Sequence, residues 1–480
     1  MFVDCFCRGG VWATQRATFF PGWGAIWGCV GWKGGQFWGG DFGAVFPFCF
    51  LENKLYTISE MSERVYLCID LKSFFASVEA VDRGLDPFTT NLVVADPSRG
   101  SGSVCLAITP AMKELGIRNR CRVFEIPKNV EYITAVPRMK KYMEVSAQIY
   151  SIYLRYISAE DIHVYSIDEC FIDATPYLKL YKKTPKELAV MLMDAVLAET
   201  GICATAGIGT NLFLAKVALD ITAKKVPDHI GYLDQDLFRK HLWHHKPLTD
   251  VWNIGNGIAK RLEKYGVHDL HGITEMPEEV LYKEFGTNAE YLIDHAHGVE
   301  PCTIADIHNY QSKSHSLSNS QILFEDYGYD DALIVMQEMV DNLVLELVEK
   351  NLVANELSLG IGYSKDVHRS TGGSRKLPAH TSSYKSLVRE FIRLYQETTV
   401  KGVPIRKLSI GLGNLMDADT VHLQLDLFAD TAAEERENKL QHALLDIKGK
   451  FGKNSVLRGI NFYEKSTGKK RNTLVGGHNG

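Results

Sequence analysis

Val164-Tyr165-Ser166-Ile167-Asp168-Glu169 decides the fold, together with Val65-Tyr66-Leu67-Cys68-Ile69-Asp70 earlier in the chain. Both stretches alternate apolar residues and end in carboxylates, a pattern that predicts β-strands whose ends lie at the rim of a sheet. If the strands are neighbours, Asp70, Asp168 and Glu169 lie side by side. Carboxylate oxygens suit Mg²⁺, and two such ions about 4 Å apart can hold both ends of a phosphoryl transfer. The stretch therefore predicts a metal site, although one acid alone at a strand end is more often solvated or paired with a lysine.

Two longer motifs contain these acids. Asp70–Glu79 is DLKSFFASVE, and Tyr165–Glu169 is YSIDE. Both resemble the signature motifs of Y-family translesion DNA polymerases, in the UmuC-like branch of ImpB/MucB/SamB type found in Gram-positive bacteria. The resemblance extends from about Arg64 to beyond Phe428. It implies an α+β fold, a right hand with a ferredoxin-like palm, small fingers, a helical thumb containing a helix-hairpin-helix, and an α+β little finger.

Composition limits the classes of protein. A chain of 480 residues predicts three or four domains of roughly 100–150 residues each. No run of about 18 apolar residues predicts a membrane span, and the ten cysteines lack zinc spacing, so we expect a cytoplasmic protein with reduced thiols and no membrane partner. The net charge of −5 does not favour DNA binding by the protein as a whole. Local clusters of Lys and Arg must therefore bind DNA.

Residues 1–60 differ from the rest, because five of the seven tryptophans lie there among glycines and phenylalanines without a helical or strand period. We expect Met61 to be the natural start and this extension not to be part of the fold. An aromatic interaction arm is the alternative. The domains expected from the motifs and the resemblance are a palm (64–85 and 138–231), fingers (86–137), a thumb (232–300), a linker (301–320), a little finger (311–414) and a clamp-binding peptide with a C-terminal tail (415–480).

The resemblance assigns roles to residues of the palm. Asp70, Asp168 and Glu169 are expected to be the catalytic acids, holding two Mg²⁺ ions with the help of the backbone carbonyl of Leu71. Phe75, next to Phe74 in the nucleotide-binding segment, is expected to stack beneath the incoming sugar. There its ring would clash with a 2′-hydroxyl and act as a steric gate.

Lysines are expected to bind the triphosphate of the dNTP. In the fingers, Lys113 matches the basic position of the family, whereas Pro110 stands where the family often has a tyrosine. Proline cannot donate a hydrogen bond, so this contact rests on Lys113. In the palm, either Lys224 or Lys225 matches the family's lysine that contacts the β- and γ-phosphates. The choice between them stays open, because this chain is one residue longer than the family pattern in the segment before them.

Two segments are predicted to bind primer-template DNA. Trp252–Leu262 looks like a helix-hairpin-helix, whose turn exposes backbone amides to phosphates, although a plain αα-hairpin is the alternative. Lys365–Lys376 is predicted to be a cationic loop that follows the DNA backbone. The residues expected to take part are Ile254, Gly255, Asn256, Gly257, Lys260, Lys365, Arg369 and Arg375.

The C-terminal part contains a short peptide, Gln424-Leu425-Asp426-Leu427-Phe428. It resembles the peptide that binds the bacterial sliding clamp, since two leucines and a phenylalanine could fill an apolar groove. A short edge strand packed on its own domain is the alternative. Beyond it, residues 432–448 are predicted to be helical, and the Gly-rich end around Lys469–Arg471 is predicted to be mobile.

The sequence thus predicts a template-directed, Mg²⁺-dependent polymerase that adds dNTPs to a primer opposite damaged template during the SOS response. Whether it needs a UmuD-like subunit or a recombinase filament stays open, as do its fidelity and its lesions. A nucleotidyl cyclase or nuclease palm would have similar acids but no use for the thumb turn and the clamp peptide. A non-catalytic accessory protein that binds DNA and the clamp is the other alternative, and the three intact acids argue against it.

Overall fold

The computed structural model describes residues 64–311, 316–365, 367–420 and 431–479. The N-terminal extension and the peptide 424–428 lie outside these ranges. The described chain divides into two compact units, one with residues up to 137 and 141–310, the other with 138–140 and the residues from 311 onward. Within the described ranges, no helix is long and apolar enough to cross a membrane.

The first unit contains strands β1 to β8 and helices α1 to α12. The strands are β1 (Tyr66–Leu71), β2 (Leu92–Val94), β3 (Ala107–Ile108), β4 (Ile133–Ala135), β5 (Ile162–Val164), β6 (Glu169–Asp173), β7 (Ala204–Gly209) and β8 (Ile230–Leu233). The helices are α1 (Phe74–Val81), α2 (Pro110–Glu114), α3 (Met139–Tyr153), α4 (Thr175–Tyr181), α5 (Pro185–Thr200), α6 (Leu212–Val217), α7 (Gln235–Leu242), α8 (Asn256–Glu263), α9 (Leu270–Thr274), α10 (Glu278–Phe285), α11 (Ala289–Ala296) and α12 (Ile304–Asn309).

One sheet of this unit has the strand order β5-β6-β1-β7-β8, with β1 antiparallel to both β6 and β7. Helices α5 and α6 pack on β7, and α6 also packs on β1. The continuous apolar run from Tyr66 to Ile69 explains the central place of β1, since all four residues are buried. A smaller sheet, β3-β2-β4, lies with α2 in the segment predicted to be the fingers.

The prediction of one strand from Val164 to Glu169 is wrong. β5 ends at Val164, a turn follows, and Glu169 begins β6. The N–H groups of Tyr165 and Ser166 both donate to the carbonyl of Glu169 at 3.0 Å, and the Ser166 hydroxyl donates to Asp168 Oδ1 at 2.7 Å. These local bonds close a tight turn, and Asp168 therefore lies in the turn rather than at a strand end.

The second unit is a sheet covered by helices on one face. Its elements are β9 (Leu317–Tyr327), α13 (Tyr329–Glu349), β10 (Leu352–Tyr363), β11 (Thr371–Thr381), α14 (Tyr384–Thr398), β12 (Ile405–Gly413), β13 (Met416–Asp417), α15 (Thr431–Phe451), α16 (Gly468–Arg471), β14 (Leu474–Val475) and β15 (His478–Asn479). The main strand order is β11-β10-β12-β9, and α13 and α14 pack against this sheet. Both units are thus mixed helix and sheet, as the predicted α+β class requires.

The prediction that Lys365–Lys376 is a loop is wrong in its second half, because β11 begins at Thr371. Gly372 has a φ of 134°, and a Cβ atom built there would lie 2.0 Å from the carbonyl oxygen of Leu359. Only glycine fits this close approach to β10. The strand therefore starts where the sequence composition indicates flexibility.

The prediction of a mobile C-terminal end is also wrong for the described residues. Glu338 of α13 is only 3% exposed, and its carboxylate accepts hydrogen bonds from the side chains of Asn461 and Ser466 and from the backbone N–H groups of Thr467 and Gly468. A buried carboxylate needs such donors. The polar composition of this segment thus supplies the donors that dock it onto α13.

Candidate active site

The acids named by the two motifs meet at one end of the β1–β6 ladder. Asp70 lies directly opposite Glu169 in the antiparallel register. The backbone N–H of Leu71 donates to the carbonyl of Asp168 at 2.9 Å, which joins β1 to the turn before β6. The structure therefore brings Asp70, Asp168 and Glu169 together, with the backbone of Leu71 beside them.

Burial and mutual repulsion set the electrostatics of these acids. Burial, followed by the charges of Asp168 and Glu169, raises the pKa of Asp70 from 3.8 to about 8. Burial also raises the pKa of Glu169, although the neighbouring Lys216 ammonium opposes this rise. Burial and the neighbouring carboxylates therefore disfavour the charged form of Asp70, and the cluster would need added positive charge to be fully ionised.

Lys216 of α6 is a residue of the site that the sequence prediction missed. Its side chain is buried, and Nζ lies 2.5 Å from Glu169 Oε1 and 3.1 Å from Asp220 Oδ2. Burial alone lowers the pKa of Lys216, but the carboxylates of Glu169 and Asp220, with the Cys68 thiol, raise it above its ordinary value. A lysine inside the apolar run from Leu212 to Leu219 was the available signal, because a buried lysine needs an acidic partner.

The acids fit a divalent cation by their chemistry. Within the described residues, no group of three or more His, Cys, Asp or Glu side chains is spaced to hold a metal ion as it stands. The Glu169 carboxylate is paired with the Lys216 ammonium. A divalent cation would offset the mutual repulsion of Asp70, Asp168 and Glu169, and hard carboxylate oxygens are the ligands that Mg²⁺ prefers.

The two aromatic residues after the first acid differ in their surroundings. Phe74 is 2% exposed and belongs to the core, so its place in the fold does not support the expected contact with substrate. Phe75 is half-buried, and its ring stacks on Tyr142 with centroids 4.4 Å apart and planes 14° apart. Tyr142 is itself fixed by a hydrogen bond of 2.8 Å from its hydroxyl to Glu79. The Phe75 ring is therefore held against a rigid support.

Basic residues lie within electrostatic reach of the acids. Desolvation lowers the pKa of Lys113, Asp70 raises it and Lys224 lowers it, so these three side chains share one region. Lys224 is exposed, and Lys225 follows it in the short helical turn 223–225. Lys72, which the sequence prediction passed over, lies 2.8 Å through Nζ from His229 Nε2, and Lys113 contributes to lowering the pKa of Lys72 after desolvation. The arrangement offers several cations to a polyanion beside the acids.

The predicted DNA-binding turn lies at the start of α8. Gly255, Asn256 and Gly257 are exposed, as is Lys260, whereas Ile254 is 4% exposed and anchors the turn in the core. The first amides of an α-helix lack acceptors within the helix and can bind phosphate. A short 3₁₀ turn, Leu248–Asp250, precedes the turn in place of the first α-helix of a helix-hairpin-helix.

The predicted DNA contacts of the second unit separate into two kinds. Lys365 and Arg369 are exposed. Arg375 instead binds Glu390 and Glu397 of α14, with Nη1 at 3.4 Å and Nη2 at 2.5 Å from the respective carboxylates. Its charge is therefore already neutralised inside the unit, which makes Arg375 a weaker candidate for DNA binding than the other two residues.

Comparisons with known proteins show which family the chain resembles. A model described as "impB/mucB/samB family" matches residues 69–220, and one for the C-terminal domain of the same family matches residues 314–427. The UV-damage repair protein UvrX of Bacillus subtilis (strain 168) is 34% identical over 88% of this chain and 99% of its own length. A protein named DNA polymerase IV 2, from Halalkalibacterium halodurans, is 29% identical over 87% of this chain and 99% of its own length.

A solved structure has a similar fold. It is a Y-family DNA polymerase chimera with a TM-score of 0.57 and 20% sequence identity, and the match covers 73% of this chain and 99% of the chimera. This likeness concerns the fold alone.

Proposed function

Because the chain belongs to the impB/mucB/samB family of Y-family DNA polymerases, we propose that it is a Mg²⁺-dependent translesion polymerase that extends a primer opposite damaged template. It is a DNA-directed DNA polymerase, and its substrates are primer-template DNA and dNTPs. The proposal of metal-dependent catalysis is supported by the strand register, which places Asp70 opposite Glu169, and by Asp168 in the adjoining turn.

The acids would hold two Mg²⁺ ions through Asp70, Asp168 and Glu169, with the carbonyl of Leu71. When bound, the metal would lower the pKa of the primer 3′-hydroxyl and neutralise the charge of the triphosphate and of the leaving pyrophosphate. As a metal ligand, Glu169 would no longer pair with Lys216, and Lys216 would keep Asp220 as its partner. The protein otherwise positions its substrates.

Residues around the acids would position the nucleotide. Lys113, together with Lys224 or Lys225, binds the triphosphate by charge, which the shared electrostatics of Lys113, Lys224 and Asp70 support. Phe75 excludes a 2′-hydroxyl, since the Tyr142 ring behind it leaves it no room to withdraw. The nucleotide is thus selected as a deoxynucleotide by shape and held by charge.

Tolerance of damaged templates would follow from the small fingers. In its described part, the segment 86–137 contains strands of two or three residues, one α-helix of five and two 3₁₀ turns of three. Fingers of this size cannot enclose the nascent base pair, so discrimination by closure is lost and damaged bases are accepted at a cost in fidelity.

DNA would be bound through its phosphates. The turn at Gly255–Gly257 with Lys260, and the exposed Lys365 and Arg369, provide amides and cations on the two units. We also propose, from the sequence alone, that residues 424–428 bind the sliding clamp and that the enzyme acts in the SOS response, where a UmuD-like subunit or a recombinase filament is a candidate partner. The clamp proposal predicts that a synthetic peptide of residues 424–428 competes with the protein for clamp.

Primer extension tests the proposal. The protein with Mg²⁺, dNTPs and an undamaged primer-template should extend the primer, and Glu169→Gln, which keeps the size of the side chain, should not. Asp173→Asn, at the far end of β6, is the matched control and should extend normally. DNA binding without extension by the wild-type protein would instead favour the accessory role.

A further inference from the structure

A direct polar contact joins two turns of the first unit. One, called the thumb turn, is residues 252–257 at the start of α8, and the other, called the acidic hairpin, is β5, β6 and the turn between them. Trp252, two residues before Ile254, donates through Nε1 to the hydroxyl of Tyr165 at 3.1 Å. The two rings meet edge to face, with centroids 6.0 Å apart and planes at 75°. Tyr165 precedes Asp168 by three residues, so one bond joins the proposed DNA-binding turn to the turn that carries the acids.

Tyr165 in turn reaches Glu169 by two routes. Its backbone N–H donates to the Glu169 carbonyl at 3.0 Å. The Lys216 ammonium lies 5.9 Å from the centroid of the Tyr165 ring, within the range of a cation–π contact, and bonds to the Glu169 carboxylate at 2.5 Å. The Tyr165 backbone therefore bonds to Glu169 directly, and the Tyr165 ring lies beside the lysine that pairs with the Glu169 carboxylate.

Trp252 has little freedom of its own. On its other side the His295 ring stacks at 5.9 Å and 20°, and His295 Nε2 lies 2.9 Å from Glu300 Oε2. His295 also stacks on Phe213, with centroids 4.1 Å apart, and Phe213 belongs to α6, the helix that carries Lys216. The packing thus fixes Trp252 between the thumb turn and the helix behind the acids.

The polar atom of Trp252 distinguishes it from a tryptophan that only fills space. Trp243, in the same thumb cluster, uses Nε1 to donate to the backbone carbonyl of Ala296 at 2.7 Å, a bond within the thumb. Trp252 uses Nε1 on the side chain of the acidic hairpin. Side chain to side chain bonds of this kind are sensitive to the position of both partners.

We propose that Trp252 and Tyr165 are positioning residues that hold Glu169, through the bond from the Tyr165 N–H to the Glu169 carbonyl, in the orientation that accepts metal when the thumb turn has bound DNA. The inference rests on the proposed function, because it takes Glu169 as a metal ligand and the turn as a phosphate site. It adds a structural reason for DNA binding to strengthen metal binding, which thermodynamic linkage makes reciprocal.

The test uses Trp252→Phe and Tyr165→Phe, which keep a ring and remove the polar atom. Mn²⁺ binding to the complex of the full chain with primer-template is measured by electron paramagnetic resonance of free Mn²⁺, alongside single-turnover extension. Each variant should bind Mn²⁺ about threefold to tenfold more weakly, as expected for loss of one hydrogen bond, and should lower the maximal rate similarly. The Kd for primer-template, measured in EDTA without metal, should change by less than about twofold, and the double variant should match the single ones because they break the same bond.

Trp243→Phe is the matched control. It should lower the melting temperature of the protein without weakening Mn²⁺ binding. The inference is overturned if Trp252→Phe behaves like Trp243→Phe, or if the two losses add in the double variant. A wild-type protein that binds no Mn²⁺ and does not extend primers overturns the proposed function as well, whereas a wild type that does both, with unchanged variants, overturns this inference alone.

Discussion

Asp70 and Glu169 lie directly opposite each other in the antiparallel ladder between β1 and β6. Two segments far apart in the sequence therefore deliver their carboxylates to one place, and the bond from the Leu71 N–H to the Asp168 carbonyl brings the third acid beside them. Buried acids that are neighbours repel one another, so a positive charge beside them favours their ionised form. Lys216 supplies one positive charge to Glu169, and the proposed metal would supply the remaining positive charge.

Asp70 gives a pH dependence of stability. Its pKa rises from 3.8 to about 8 on folding, so the folded state binds this proton more tightly than the unfolded state. The metal-free protein therefore loses stability as pH rises through that interval, whereas Asp70→Asn lacks this loss. In urea unfolding with EDTA, the stability of the variant relative to wild type should increase between these pH values and level off above. A difference in stability between variant and wild type that stays constant across this pH interval would contradict the raised pKa of Asp70.

Lys216→Met should destabilise the metal-free protein by about 3–5 kcal/mol, because it leaves Glu169 buried without its partner. Urea unfolding at pH 8 measures this change, and added Mn²⁺ should restore part of it. Lys186→Met, which breaks an exposed pair with Asp228, is the control and should change the free energy of unfolding far less, because solvent screens exposed pairs. Equal costs for the two variants would refute the proposed counter-ion role of Lys216.

Phe75→Ala should admit ribonucleotides, since it removes the ring that Tyr142 supports from behind. The ratio of kcat/KM for dNTP over rNTP should fall by about tenfold or more. Phe75→Tyr keeps the ring and should keep the ratio. If the ratio in Phe75→Ala equals that of wild type, Phe75 is not the gate.

Glu338→Ala should release the C-terminal segment. The change leaves donors of Thr467 and Gly468 without their acceptor, at a cost of about 3 kcal/mol. Limited proteolysis with mass spectrometry should show faster cleavage within residues 452–479. Glu346→Ala, which breaks an exposed pair with Lys350, should leave the cleavage rate unchanged. Equal cleavage rates in both variants would show that Glu338 does not anchor the segment.

The sequence predicts the strand β1 and the three acids because local features determine them. The apolar run Tyr66 to Ile69 predicts a strand that ends at Asp70, and the second motif contains Asp168 and Glu169, although it does not predict the turn that holds Asp168. Helix α5 likewise begins at a local capping box, in which the Thr184 hydroxyl accepts from the N–H of Glu187. These parts of the fold depend on residues that are close together in the chain.

The features that the sequence does not predict depend on distant partners. Lys216 is recognisable as buried, but its pairing with Glu169 requires the packing of α6 on β1. From the sequence, Arg375 is expected to be a cation available to DNA. In the folded unit it pairs with Glu390 and Glu397 of α14. The C-terminal segment looks mobile because its anchor, Glu338, lies more than a hundred residues earlier. Hydrogen bonds and ion pairs of this range leave no periodic signal in the sequence.

Primer extension past an abasic site tests the central claim most directly. The full chain, Mg²⁺ and dNTPs are incubated with a primer that ends one base before an abasic site, and the same reaction is run with Asp168→Ala. Extension past the site by the wild type, reduced at least about a thousandfold in the variant while DNA binding is kept, is the predicted result. Equal extension by both proteins would contradict the assignment of the acids and with it the proposed mechanism.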